Sequence, residues 1–302
     1  MNESYKLIEI NWIDYLKKIV DKKNKIFEKT NLNKYQTLSF QYIDYKIHVD
    51  YIKVIWKRLQ NDYYELGEVD KQIEKHFEKI NNTTKINSFP IDFEDRIVAK
   101  PYYSESYMLD MDSFIIFSKI LMDKIIKLTT SLLNENNQRS IPTTSFTKHR
   151  NFFAYRNPSI SNQKYAEIIK NETLWYELAL LPIRDKIITH GNSRISILGG
   201  HTGKKPGLTR TPHFRESELA VTKAKNLKEQ LAVNNPEFSK VHQNVREFIE
   251  FVMEKNNLVM TKQQITDFHD LILDIGGTYP NPNYIAFNIM KFIKNISNVL
   301  ED

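Results

Sequence analysis

Apolar side chains recur at intervals of three and four residues along most of the chain, the spacing that places them on one face of an α-helix. The longest such pattern runs from Tyr35 to Tyr63. A regular helix over this stretch is about 42 Å long at 1.5 Å per residue. Many of its apolar positions are aromatic, which favours packing inside a helical bundle over a slim two-stranded coiled coil. These positions are Tyr35, Leu38, Tyr42, Tyr45, Val49, Ile52, Trp56, Leu59 and Tyr63.

The same periodicity predicts further helices on both sides of this one. A break is expected from Asn81 through Pro90 to Pro101, and a polar tract at 134–140 follows the third helix. Pro182 is expected to kink or restart the helix that contains it, because its ring removes a backbone donor. The further helices are predicted over the stretches 8–26, 114–132, 162–190, 241–252, 265–275 and 285–299.

Strand patterns are nearly absent, and the stretch Arg194 to Leu198 is the only candidate. The sequence therefore predicts an all-α fold. We expect residues 1–100 to form an N-terminal helical lobe, either separable from the rest or continuous with it. Residues 101–302 are expected to form a second helical bundle.

The composition excludes several classes of protein. Of the 302 residues, 41% are hydrophobic and 12% aromatic, enough for a sizeable core, so a wholly disordered chain is excluded. The absence of cysteine excludes disulfides, thiolate zinc sites and thiol nucleophiles. No secretory signal is expected, and no stretch approaches the roughly 18 apolar residues of a membrane span. We therefore expect a cytoplasmic protein, and its net charge of +6 permits a polyanionic partner.

Two stretches that could bind phosphate or metal have ordinary explanations. The segment Gly199–Lys205 lacks the glycine spacing and the Ser or Thr of a phosphate-binding loop. Asp267, Asp270 and Asp274 share one helix face, whereas His269 points elsewhere, so a solvated acidic face is the simpler interpretation. The sequence predicts no metal site and no cofactor.

A short polar group occurs on the amphipathic stretch from Phe146 to Tyr155. His149 and Arg150 are adjacent there, and Arg156 follows closely. We interpret these side chains as surface residues that could border a path for RNA.

One run carries residues suited to catalysis. Arg184 and His190 bracket five residues, and Gly191 supplies a typical helix stop. On a regular helix the two side chains differ by about 9 Å in rise and about 120° in azimuth, so they do not stack. A long arginine and a histidine at the helix end could still converge on one phosphate. The ordinary alternative is a capping histidine beside a solvated cluster of charges.

Metal-free RNA cleavage requires these two types of side chain. A base must take the 2′-hydroxyl proton, an acid must protonate the leaving 5′-oxygen, and a fixed cation must stabilise the phosphorane. Histidine titrates near neutrality and can fill either proton role, and guanidinium binds phosphate through two hydrogen bonds. Because the 2′-hydroxyl is the nucleophile, such a site cleaves RNA and spares DNA.

The run from Arg184 to His190 resembles the signature of the HEPN superfamily, an arginine followed by four to six residues and a histidine. Asp185 matches the polar residue that often follows the arginine. The stretch with Asp110, Asp112, Phe114 and Asp123 is similar to the helix that often precedes the motif. The resemblance covers about residues 103–256 and implies a HEPN-type helical bundle with additional N- and C-terminal helices.

The resemblance also implies an activity. Many HEPN proteins are metal-independent endoribonucleases that act as toxins or in antiviral defence, commonly as homodimers whose two motifs form one cleft. By resemblance, Arg184 would hold the scissile phosphate, His190 would transfer protons and Asp185 would orient one of them. An antitoxin or another regulatory partner is also expected. Asn192 replaces the tyrosine that such toxins often carry two residues after the histidine, so control by modification of that tyrosine is not expected.

The segment 191–215 is basic and contains no acidic residue. Directly after a catalytic helix, such a segment could neutralise several phosphates without reading the base sequence. A surface loop kept soluble by its charge is the alternative. The residues expected to bind RNA are Arg194, Lys204, Lys205, Arg210 and Arg215.

Three functions follow from the sequence. The first is a metal-independent endoribonuclease with an RNA substrate and no membrane partner. The second is a catalytically silent HEPN-like module that binds RNA or protein. The third is a helical interaction protein, which rests on the regular apolar pattern of the first lobe.

Overall fold

The fold is seen in a computed structural model that describes residues 12–81, 91–133, 141–156, 162–181, 238–257, 259–263, 265–266 and 282–301. Within these ranges every regular element is helical and no strand occurs, which confirms the all-α prediction. The helices are α1 (Ile13–Thr30), α2 (Leu32–Asn81), α3 (Ile91–Leu132), α4 (Phe146–Tyr155), α5 (Gln163–Asn171), α6 (Phe238–Asn256) and α7 (Pro282–Glu301), with a π-helical turn at Tyr176–Leu180.

An antiparallel pair of long helices forms one side of the bundle. α2 has 50 residues and α3 has 42. Arg58 pairs with Asp110, whereas Asp44, fourteen residues earlier, pairs with Lys124, fourteen residues later, so the two helices run in opposite directions. The apolar stripe predicted on α2 is confirmed, because its positions from Leu38 to Leu59 are buried or partly buried between α2 and its neighbours.

α1 turns back on α2 at a single non-helical residue. Asn31 has an extended backbone, and its side-chain oxygen accepts from the backbone N–H of Lys34, which caps the start of α2. The Tyr45 hydroxyl donates to the carbonyl oxygen of Trp12 at 2.7 Å in the buried interface. Trp12, Leu16 and Ile19 are buried on the apolar face predicted for the first helix, but Ile26, at the end of the predicted stretch, is 49% exposed and does not belong to that face.

α7 lies at the centre of the bundle. It begins with Pro282, a residue whose fixed φ suits the first helical position. It packs against α1, α3, α5 and α6, and one continuous apolar core joins them. The predicted stripes on α6 and α7 are confirmed. The buried residues of α7 include Tyr284, Ile285, Ile289, Phe292, Ile293 and Ile296.

Two predicted boundaries were wrong. α3 already begins at Ile91, so the break is shorter than expected and Pro101 lies inside a helix. An interior proline removes one hydrogen bond, and the rest of a long packed helix can maintain it. The helix predicted over 162–190 is divided, because α5 ends at Asn171 and helix resumes at Leu174.

α3 runs across position 100, the boundary expected between the two lobes. Whether residues 1–100 fold separately stays a prediction. Among the helices that the structure describes, none is long and apolar enough to cross a membrane.

The pair between α2 and α3 gives a test of how the two helices are joined. Replacing Arg58 by alanine leaves the Asp110 carboxylate, which is 1% exposed, without its cation. We expect Arg58→Ala to lower the free energy of unfolding by about 2 kcal/mol in chemical denaturation. Lys57→Ala is the control, because it removes the same charge from the exposed neighbouring position. Equal effects of the two substitutions would contradict the assigned role of Arg58.

Candidate functional site

The residues predicted to act on RNA lie outside the described residues, in the segment 182–237. They are Arg184, Asp185 and His190, and the loop residues Arg194, Lys204, Lys205, Arg210 and Arg215. The candidate strand at 194–198, Asn192, and the acidic positions from Asp267 to Asp274 are also outside. The structure describes the segment that leads directly into the predicted motif, as far as Leu181.

The segment before the motif contains a π-helical turn. The backbone N–H of Leu181 donates to the carbonyl of Tyr176, five residues earlier, instead of the usual four. A π turn inserts one residue and so rotates everything that follows it, and such turns are frequent at functional sites. Tyr176 and Leu180 are fully buried, and Leu181 packs against the core. The chain therefore leaves this turn for the motif from a fixed, buried starting point.

A buried ion pair holds this turn against α4. Arg150 donates from Nη1 to Oε1 of Glu177, which belongs to the π turn. Its Nε donates to the Thr173 hydroxyl at 3.0 Å. Arg150 is 2% exposed and Glu177 is 7% exposed. Oε2 of Glu177 is also buried and has no hydrogen-bond partner among the described residues. Arg150 thus connects α4 to Thr173 and Glu177, two positions on the short stretch that precedes the predicted motif.

The interpretation of His149 and Arg150 as surface residues was wrong. α4 buries Phe146, His149, Arg150 and Phe153, which share one helix face. The polar pair lies inside because each member has buried partners, whereas Arg156 at the end of α4 is exposed as expected. Two signals in the sequence could have identified the ion pair. These are the spacing of Arg150 on this face and the single acid, Glu177, within the apolar stretch from Leu174 to Leu181.

His149 joins three segments through buried hydrogen bonds. Its Nδ1 lies 2.7 Å from the carbonyl of Pro142, and its Nε2 lies 3.0 Å from the Tyr165 hydroxyl. That hydroxyl lies 3.0 Å from the hydroxyl of Thr129 in α3. Because a carbonyl only accepts, Nδ1 carries the hydrogen and the neutral Nε2 accepts from Tyr165.

Burial keeps both His149 and Tyr165 neutral. Desolvation lowers the pKa of His149 to about 4, although the bond to the Pro142 carbonyl opposes the shift. Burial likewise raises the pKa of Tyr165 to about 12. A histidine with such a pKa is uncharged at neutral pH and is sealed from solvent, so His149 is a structural residue. It is unsuited to the proton transfers expected of His190.

The acids of the upstream stretch also have structural partners. Oδ1 of Asp123 accepts from the backbone N–H of Phe146 at 2.7 Å, which satisfies a free donor at the start of α4. Its other oxygen pairs with Lys119. Burial raises the pKa of Asp110, and the charge of Arg58 opposes that shift. Asp110 and Asp123 therefore stabilise the bundle around the segment that leads to the motif.

A cleft of about 200 Å³ lies among α5, α6 and α7. Its lining contains two lysines and two glutamates, so its charges balance; Lys291 pairs with Glu247, and Glu172 accepts a hydrogen bond from Asn295. Lys240 donates to the side chain of Asn171 at 3.1 Å. Such a cleft offers no concentrated positive charge for a polyanion. Nowhere in the described ranges are three or more potential metal-binding side chains grouped together.

Comparison of the chain with protein-family models, curated proteins and solved structures finds no match. The resemblance to the HEPN superfamily therefore stays a prediction from residues 184–190 and their surroundings.

The depressed pKa of His149 predicts acid sensitivity. In the unfolded chain this histidine binds a proton near pH 6.5, but in the fold only near pH 4. The contribution of this pKa difference to the free energy of unfolding is complete above pH 6.5. It is lost as the pH falls to 4, by at most about 3 kcal/mol. Denaturation at a series of pH values should show this loss, and His149→Gln should flatten the slope in that window. An identical slope in the variant would contradict the buried, neutral state of His149.

The Arg150–Glu177 pair predicts strong coupling in a double-mutant cycle. Glu177→Leu or Arg150→Met alone leaves one buried charge without its partner, which should cost about 3–5 kcal/mol of unfolding free energy. The double substitution should recover much of that loss, because neither charge then remains.

The exposed pair Lys17–Asp21, at 57% and 50% side-chain exposure, provides the control for this cycle. Its coupling should be about 0.5 kcal/mol or less. Coupling energies of the same size in both cycles would show that the buried pair does not anchor the π turn.

Proposed function

We propose that this chain is a metal-independent endoribonuclease of the HEPN type, acting in the cytoplasm as a toxin or an antiviral effector. The observation that carries the proposal is the run from Arg184 to His190. It combines a phosphate-binding cation with a proton-transfer group at the spacing of that superfamily. The all-helical architecture agrees with the proposal, and so does the π turn fixed by Arg150 and Glu177, which ends four residues before Arg184.

In the proposed reaction the guanidinium of Arg184 binds the non-bridging oxygens of the scissile phosphate. The 2′-hydroxyl attacks that phosphorus and the bond to the 5′-oxygen breaks, leaving a 2′,3′-cyclic phosphate and a 5′-hydroxyl. One proton must leave the nucleophile and one must reach the leaving oxygen. Because each motif supplies one histidine, a homodimer would bring a base and an acid to one phosphate. Asp185 would orient Arg184 or His190.

The anchored π turn would help to hold the proposed catalytic groups in fixed positions. Catalysis by positioned groups is lost when they move by about 1 Å, so the segment that carries them must start from a rigid support. The buried pair of Arg150 and Glu177 and the packed Leu180 are such a support. The basic segment 191–215 would then hold the RNA backbone through Arg194, Lys204, Lys205, Arg210 and Arg215.

The proposal is tested by incubating the protein with RNA in excess EDTA. We expect cleavage that persists in EDTA, yields 2′,3′-cyclic phosphate ends and spares 2′-O-methylated RNA. Arg184→Ala and His190→Ala should each reduce the rate by about a hundredfold or more. Arg246→Ala, at an exposed arginine of α6, is the matched control and should retain full activity.

The other results separate the competing functions. RNA binding that weakens with salt, without cleavage, would favour the catalytically silent module. Neither binding nor cleavage would favour a helical interaction protein. Cleavage that requires a divalent metal, or that survives in both variants, would refute the mechanism proposed for Arg184 and His190.

A further inference from the structure

α2 has two apolar faces. One is the buried stripe that packs into the core. A surface helix normally has only this one apolar side. The other is an outer stripe of large apolar residues on the solvent side. Its members are Phe40, Ile43, Ile47, Tyr51 and Val54, which are 72%, 52%, 41%, 49% and 60% exposed.

The outer stripe is continuous and narrow. At about 100° per residue, its five members fall within roughly 40° on either side of Ile47. Buried Tyr45 and Val49 lie about 160° from Ile47, on the opposite side of the helix. A contiguous exposed patch of this size is comparable to the largest one on a typical monomeric protein, and such patches often mark an interaction site.

The spacing of the stripe is symmetric about Ile47. Phe40 and Val54 lie seven residues before and after it, and Ile43 and Tyr51 lie four residues before and after it. A two-fold axis through Ile47 would therefore place Phe40 opposite Val54 of a second helix, Ile43 opposite Tyr51, and Ile47 opposite its own copy. Such self-complementarity is the requirement of an isologous dimer.

We propose that the outer stripe of α2 is a dimer interface, in which the α2 helices of two copies of this chain pack antiparallel about Ile47. This interface is independent of the proposed ribonuclease activity. Most of the stripe has no partner among the described residues, although the ring of Tyr51 also packs edge-on against Phe117 of α3 at 5.6 Å.

Charge supports this register. Lys46 and Asp50 are exposed and lie beside the stripe on the same side. In the antiparallel arrangement Lys46 of one copy lies about 3 Å along the axis from Asp50 of the other, so two equivalent ion pairs form.

The apolar area of the outer stripe is also sufficient for a dimer interface. The five exposed side chains of two copies would bury about 1,000 Å² in total, the lower limit for a specific interface, so we expect micromolar affinity.

Association is the first test, by sedimentation of the full chain across a range of concentrations. We expect a reversible dimer, and we expect Ile47→Glu to raise its Kd about a hundredfold, because two carboxylates then meet at the axis. Ile26→Glu is the matched control, an isoleucine of α1 that is 49% exposed, and should leave the Kd unchanged. A monomer at every concentration would overturn the proposal.

Crosslinking tests the register. Because the chain contains no cysteine, only the introduced thiols can form a disulfide. Under oxidation Ile47→Cys should link to itself, and Phe40→Cys should link to Val54→Cys when the two variants are mixed. Phe40→Cys alone should not, because its two copies would be about 21 Å apart along the axis. Efficient linking of Phe40→Cys to itself would indicate parallel helices and overturn the antiparallel arrangement.

Charge exchange tests the ion pairs separately from folding. Lys46→Asp or Asp50→Lys alone should weaken the dimer about tenfold, because each places like charges across the interface. A mixture of the two variants should restore the affinity, since every pair is then opposite in sign. Mixing does not change the charges within either helix, so a failure to restore affinity would contradict the proposed pairing.

Discussion

A guanidinium buried to 2% exposure must be paired, and Arg150 meets this requirement with the Glu177 carboxylate and the Thr173 hydroxyl. The position of the π turn depends on these contacts, because they tie it to α4. α4 in turn is held by Asp123 at its first residue and by His149 through Pro142 and Tyr165. A buried ion pair contributes little net stability compared with apolar residues, and its value lies in permitting one arrangement only. In this bundle the arrangement it fixes is the start of the segment that leads to Arg184.

The helices could be predicted from the sequence because the apolar spacing that defines them is local. The stripe on α2 and those of α6 and α7 were confirmed for that reason. The π turn and the end of α5 at Asn171 could not be predicted, because they depend on the bonds of Arg150 to Thr173 and Glu177, which lie 23 and 27 residues away in the sequence. The exposure of Ile26 likewise depends on which helix face is covered, which the spacing alone does not contain.

The candidate site rests on a different kind of inference. Arg184, Asp185 and His190 form a hypothesis from spacing and chemistry, and the described residues leave that hypothesis untested. Polarity suggested that His149 and Arg150 lie on the surface, but the structure buries them because each has partners far away in the sequence. Polar residues inside a helix are therefore the points at which sequence patterns are least informative, since a solvated face and a satisfied buried network contain the same residue types.

The central position of α7 has a consequence for the order in which the protein is made. α1, α3, α5 and α6 all pack on this helix, yet the ribosome synthesises it after every one of them. Until it emerges, the apolar faces of the earlier helices have no common partner, so nascent or truncated chains lack the assembled core. Any function that depends on the packed bundle is therefore expected to appear only after α7 has been synthesised.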